Sequence, residues 1–273
     1  MLYRRIIIRP FDGSSSIEFH PGAPHRQCRL WVHILLFLIT LLTTTTVGAL
    51  MEGNDPISGV RGFASGFPFS LTILTILGVH EFAHYMAGKK WGIEVTLPYF
   101  IPAPFPPIGT FGAVIRMRSS IPNRRALVDV GAAGPIAGFV LSIAACVIGL
   151  GMSQVVPLQG AADSAISLGE SVLFKLLSLI VIGPVGKNQD VLLHPIAFAG
   201  WIGLFVTALN LMPFGQLDGG HVLFALSPKL HDLFRRLRVP LLLFMGMVFW
   251  SGWYVWAVLL IFIGGVHPYP DYM

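Results

Sequence analysis

Charge is scarce in this sequence. Asp, Glu, Lys and Arg supply 11% of its 273 residues, against 54% hydrophobic residues and a mean hydropathy of +0.73. So little charge excludes an ordinary soluble domain and points to a multi-span membrane protein. The net charge of +5 does not make a nucleic-acid face, because the Lys and Arg residues cluster between apolar runs as basic loops at a cytoplasmic surface do. Cysteine is nearly absent as well. Cys28 precedes the first apolar run and Cys146 lies deep in a later one, so the two sit at different depths. No disulfide is expected, and Cys146 reads as a small core residue. A cleaved leader is not expected either, since the first apolar run is too long and lacks a small-residue cleavage pattern.

What is present divides cleanly. Residues 1–29 form a polar arm with five arginines and one strand-like piece at Arg5 to Arg9; residues 30–50 form a first transmembrane helix whose Thr43 to Thr46 run bonds back to its own turns. Met51 to Gly66 is a Gly-rich outside loop. Phe67 to Gly88 is a second span, closed by Lys89 and Lys90. A third, Ala126 to Met152, follows Arg124 and Arg125, and its Gly131 to Phe139 segment offers small residues for close contact with the second. Gln154 to Asp190 reads as a mixed loop holding an interfacial piece, 168–182, interrupted by Glu170 and Lys175. His194 to Leu226 would run about 50 Å as a straight helix, too long for one crossing, so it bends at Pro213 and Gly215. Lys229 to Arg238 is a basic loop, and Val239 to Gly265 is a last apolar run that tilts as one span or breaks near Gly252. The fold class is thus an all-α polytopic membrane protein of about five to six transmembrane helices. The domains are the 1–29 arm, the 30–50 helix, a 67–226 core and a 239–265 C-terminal span. The alternation of basic and acidic loops puts the N-terminus on the cytoplasmic side of a cell membrane.

Between the second and third spans, LPYFIPAPFPP carries five prolines and cannot be a helix, yet it is strongly apolar. It leads into Gly109-Thr110-Phe111-Gly112 and then AVIRMR, an extended hairpin. Two placements suit it: an ordinary surface loop, or a re-entrant segment beside the site described next, whose free strand edge binds a substrate chain.

Three ionisable side chains, His80, Glu81 and His84, stand inside the second apolar run, where charge is costly and calls for a reason. On a helix His80 and His84 share a face one turn apart, with Glu81 beside them; this H-E-x-x-H spacing suits a zinc ion held by two imidazoles, with the carboxylate as general base. The third ligand is open at this stage. Asp218 in Leu217-Asp218-Gly219-Gly220-His221 is the first candidate, although it also suits a helix N-cap; His221 and Asp129 are rivals. Asn210 is either an amide donor to substrate or a helix-packing residue. The site then lies in the cytoplasmic half. A metal-binding regulator or zinc transporter is the alternative to an enzyme, but a transporter needs polar residues along a path, and here they concentrate at one depth.

With HEFAH in one span and NLMPFGQLDGGH in a later one, the chain resembles the site-2 protease family of intramembrane zinc metalloproteases. The resemblance covers 67–226. It implies Zn2+ bound by His80, His84 and Asp218, with Glu81 as catalytic base, and Gly109, Thr110, Phe111 and Gly112 as a substrate-binding re-entrant hairpin beside the site. It implies a lipid bilayer as surroundings and membrane-spanning proteins as substrates. The segment from Gly92 to Asp190 leaves no room for the PDZ domain of many members, and no nucleotide-sensing domain is expected after the last span, so a minimal core is expected with no nucleotide or nucleic-acid partner.

Overall fold

The computed structural model describes residues 29–157, 168–169, 171–249 and 251–263. The expected N-terminal arm with its strand-like piece, Cys28, Glu170 and the tail after Gly265 lie outside the described residues. Within them the chain is mostly helical. Helices α1 (Leu30–Met51), α2 (Val60–Ala64) and α3 (Phe67–Lys90) precede strands β1 (Tyr99–Pro102) and β2 (Thr110–Val114). Helix α4 (Arg124–Gly151), strand β3 (Gln154–Pro157), helix α5 (Val172–Val181) and strand β4 (Gln189–Leu192) come next. Helices α6 (Pro195–Asn210), α7 (Asp218–Leu226), α8 (Pro228–Val248) and α9 (Gly252–Ile263) complete the order. Three helical stretches are long and apolar enough to cross a membrane: α1, the Val60–Lys90 run and α4.

Helix α4 is the centre of the packing. It lies against α3 on one side and α6 on the other, with α7 beside it; α1 and the β1–β2 hairpin lean together, and α8 pairs with α9. Glycine permits this closeness. A methyl at Gly149 would overlap the Ala197 backbone, and one at Gly200 would sit 2.7 Å from the Cys146 amide, so α4 and α6 touch backbone to backbone. Cys146 is fully buried there, free and in the core, as expected. Phe69, Ile73, Phe198 and Ile202 form a second apolar cluster joining α3 to α6.

The proline-rich segment is extended, as its composition demands. β1 and β2 pair antiparallel with Tyr99 opposite Val114 and Phe100 opposite Ala113, and Val95 bridges Met117 further out. A second antiparallel pair, β3 with β4, was not legible: the residues read as a mixed loop are bracketed by Gln154–Pro157 and Gln189–Leu192. Two further readings are corrected. The outside loop after α1 contains the short α2. The basic stretch Lys229 to Arg238 is helix, because Ser227 caps its first turn and Asp232 pairs with Arg235 and Arg236 at 2.7 and 2.6 Å, joining it to the apolar turns that follow. Of the two options for the last apolar run, the break is observed, between Val248 and Gly252.

Candidate metal centre

His80 and His84 project from the same face of α3, each 5% exposed, and are met by a carboxylate from a distant part of the chain. The long segment from His194 does not continue as one helix: α6 ends at Asn210, and a turn through Pro213 and Gly215 separates it from α7. That turn is tight. Gly215 has φ +56°, its carbonyl accepts from His231 Nε2 on α8 (3.2 Å), and Gly219 and Gly220 back onto the carbonyls of Leu211 and Gly215. The result delivers Asp218. Leu217, not Asp218, is the N-cap of α7, and no side chain caps that helix. The Asp218 carboxylate instead lies 3.2 Å from His80 Nε2 and 3.3 Å from His84 Nε2, and the two ring nitrogens are 3.1 Å apart.

Those separations are what a tetrahedral ion would impose, since bonds of about 2.0–2.1 Å put neighbouring ligand atoms about 3.3–3.4 Å apart. One donor from each residue lies within 4.8 Å of the others, and the three make a possible metal site. The imidazole orientation fits as well: His84 donates from Nδ1 to the Val130 carbonyl on α4 (2.6 Å), which leaves Nε2 as the lone-pair nitrogen facing the cluster. α4 also supplies the space. A methyl at Gly134 would overlap the His84 ring, and one at Gly138 would come 3.0 Å from His80 Nδ1.

Glu81 lies beside the cluster, and its Oε2 accepts from the Ile115 amide just past β2 (3.0 Å). Asn210, the last residue of α6, puts its amide nitrogen 3.4 Å from His80 Nε2. The rivals for the third position are not part of the cluster: Asp129 accepts from Trp91 Nε1 (2.9 Å), and the His221 Cβ faces Gly131, 3.1 Å from where a methyl there would sit. The four hairpin residues differ in their surroundings, and the Gly112 amide donates to Thr110 Oγ1 (3.0 Å). Thr110 is buried and spends its hydroxyl on the Ile101 carbonyl (2.8 Å), Gly109 faces α1, and Phe111 is 70% exposed. The hairpin reaches Glu81 through Ile115 instead. That contact and the Val130 carbonyl were missed from sequence, because a backbone group leaves no chemical signature; the small residues of α4 were expected to pack against the second span, and Gly134 and Gly138 do so at the two histidine rings.

The description of "Peptidase family M50" matches residues 68–251. The chain is 34% identical over 210 residues to "Probable zinc metalloprotease EGY2, chloroplastic" of Oryza sativa subsp. indica, covering 74% of this chain and 37% of that protein. It is 31% identical over 219 residues to "Probable zinc metalloprotease EGY1, chloroplastic" of Arabidopsis thaliana, covering 70% and 39%. The EGY2 protein of Arabidopsis thaliana is 30% identical over 242 residues, covering 87% and 43%. The chain therefore spans under half the length of these relatives. No solved structure matches it. A family match over well more than half of the sequence, enclosing both histidines, Glu81 and the turn that carries Asp218, makes this chain a member of peptidase family M50.

Proposed function

We propose that the protein is a zinc-dependent intramembrane endopeptidase that cuts membrane-spanning proteins in or near their transmembrane segments. The observation that carries this reading is the convergence of His80, His84 and Asp218 at 3.1–3.3 Å with Glu81 next to them, in a chain of membrane-spanning helices. His80, His84 and Asp218 are the zinc ligands. A zinc ion held by them would polarise the scissile carbonyl and make a water molecule acidic enough to lose a proton near neutral pH. Glu81 takes the proton of the attacking water and delivers it to the leaving amine, and the Ile115 amide keeps its carboxylate aimed. Asn210 donates its amide to the substrate carbonyl as negative charge develops there. The hairpin, with Gly109 before β2 and Thr110, Phe111 and Gly112 in it, dips into the membrane beside the site and receives the substrate as an added strand.

In this reading the chain crosses the bilayer five to six times: the three long helices are joined by α6 with α7, and by the apolar parts of α8 and α9. The domain bounds 1–29, 30–50, 67–226 and 239–265 follow from it. Basic residues at Lys89, Lys90, Arg124, Arg125 and Lys229 to Arg238 set the cytoplasmic side, with the N-terminal arm and the site towards it.

The test is cleavage of purified single-span proteins with metal analysis in parallel. Glu81→Gln is expected to abolish cleavage with zinc retained, and Asp218→Ala to lose both. Cleavage by Glu81→Gln at the wild-type rate refutes the mechanism; a chelator without effect refutes the metal.

A further inference from the structure

Helix α1 lies outside the residues matched by the family, yet it carries buried polar groups that the metal cluster does not use. His33 is 6% exposed, and an ionisable residue inside a span calls for a partner. It has one in the hairpin: Nδ1 donates to the Pro98 carbonyl at the foot of β1 (3.0 Å), and the ring lies 4.0 Å from the Tyr99 ring. One turn on, Phe37 meets Phe100 edge to face at 5.2 Å. At the other end Thr43 donates from Oγ1 to the Gly109 carbonyl (2.8 Å). Gly109 lies flat on the helix there, since a methyl on it would come 2.8 Å from Thr44 Cα and 2.9 Å from the Thr43 carbonyl oxygen. His33, Phe37 and Thr43 all meet the hairpin, with the two polar pins about 15 Å apart along the axis of α1. The hairpin's opposite contacts are with α3, where Ile115 meets Glu81 and Phe100 meets Gly78. It is held between two helices.

We propose that α1 is the clamp of the hairpin, with His33 and Thr43 as positioning residues that keep the Ile115 amide on Glu81 and the strand edge presented to substrate. Packing alone does not account for the pair, because leucine or phenylalanine would fill the same space at lower cost in a membrane. The functional half of the inference rests on the peptidase reading above; the clamp itself does not.

The test uses the full chain in lipid nanodiscs. His33→Phe keeps the ring and loses the donor, Thr43→Val keeps the shape and loses the hydroxyl, and Thr43→Ser restores it. Hydrogen exchange is followed in peptides covering 97–118, with α4 and α6 peptides as internal references. Each lost donor is expected to speed hairpin exchange about fivefold, the change in opening equilibrium that one net hydrogen bond supports. The α4 and α6 peptides and the zinc content stay at wild-type values, cleavage falls in step, and Thr43→Ser recovers both. Wild-type hairpin exchange in a chain carrying both His33→Phe and Thr43→Val overturns the clamp, as does loosening shared equally by α4 and α6. A loosened hairpin with unchanged cleavage overturns the positioning role. The exchange readout needs no substrate, so a chain that cut nothing would sink the peptidase reading and leave the clamp standing or falling on its own result.

Discussion

Gly134 shows how much a single missing side chain decides. Its position on α4 leaves room for the His84 imidazole, and the Val130 carbonyl one turn earlier takes that ring's Nδ1 proton. Gly134→Ala is therefore expected to displace the ring and lower zinc affinity at least tenfold, in the range seen when the partners behind a ligand are altered, with the helix itself intact. Equilibrium dialysis against a zinc buffer checks this, and wild-type affinity in the variant would contradict the geometry. At this scale the sequence spoke through spacing. The pair His80 and His84 was legible because four residues make one helical turn, a local fact. Asp218 was legible only as a candidate, since its closeness to both rings depends on a turn 130 residues downstream of α3's motif, and the carboxylate suited a cap equally well. Ile115 was not legible at all: what it gives Glu81 is its amide, which every residue but proline has.

Among elements, the seam between α4 and α6 sets the frame on which the centre is hung. Gly149 and Gly200 bring the two backbones together, and Gly203 leaves room for the Ser142 hydroxyl, where lipid gives no hydrophobic drive and only close packing favours association. Gly149→Leu should force them apart against Ala197, with a loss of about 1–3 kcal/mol or more from overpacking. Thermal unfolding in detergent reads it as a lower Tm, and an unchanged Tm would mean the seam is slack. Helix periods and proline placement announced most elements, including the hairpin, while the break before Gly252 was one of two options the last apolar run left open. Two failed for physical reasons. α8 mixes charge with apolar turns, and charge was taken for a loop although its ion pairs lie along a helix. β3 and β4 are four-residue strands that pair across more than thirty positions, and nothing in either strand names the other.

For the whole molecule, a buried centre imposes a condition on whatever enters it. A substrate helix hides its own carbonyls in hydrogen bonds, so the proposed cleavage requires local unwinding before any group here can reach the bond. Replacing one alanine by glycine next to the cut in a model substrate is expected to raise the rate about fivefold, matching a helix-propensity cost of about 1 kcal/mol. Time courses on paired substrates measure it, and equal rates would show that unwinding does not limit the reaction. Membrane character was legible from composition because charge is so sparse. The count of crossings was not, since α5, α6 and α9 have 10, 16 and 12 residues, fewer than a full crossing needs, so length alone does not sort them.

The double grip of α4 on His84, a carbonyl at one edge and bare backbone at the other, leaves that imidazole nowhere to swing. A ring so enclosed is expected to stand in the same place with or without its ion, and the imidazole signals of His84 in the zinc-free and zinc-loaded protein would then differ by coordination and not by a change of rotamer.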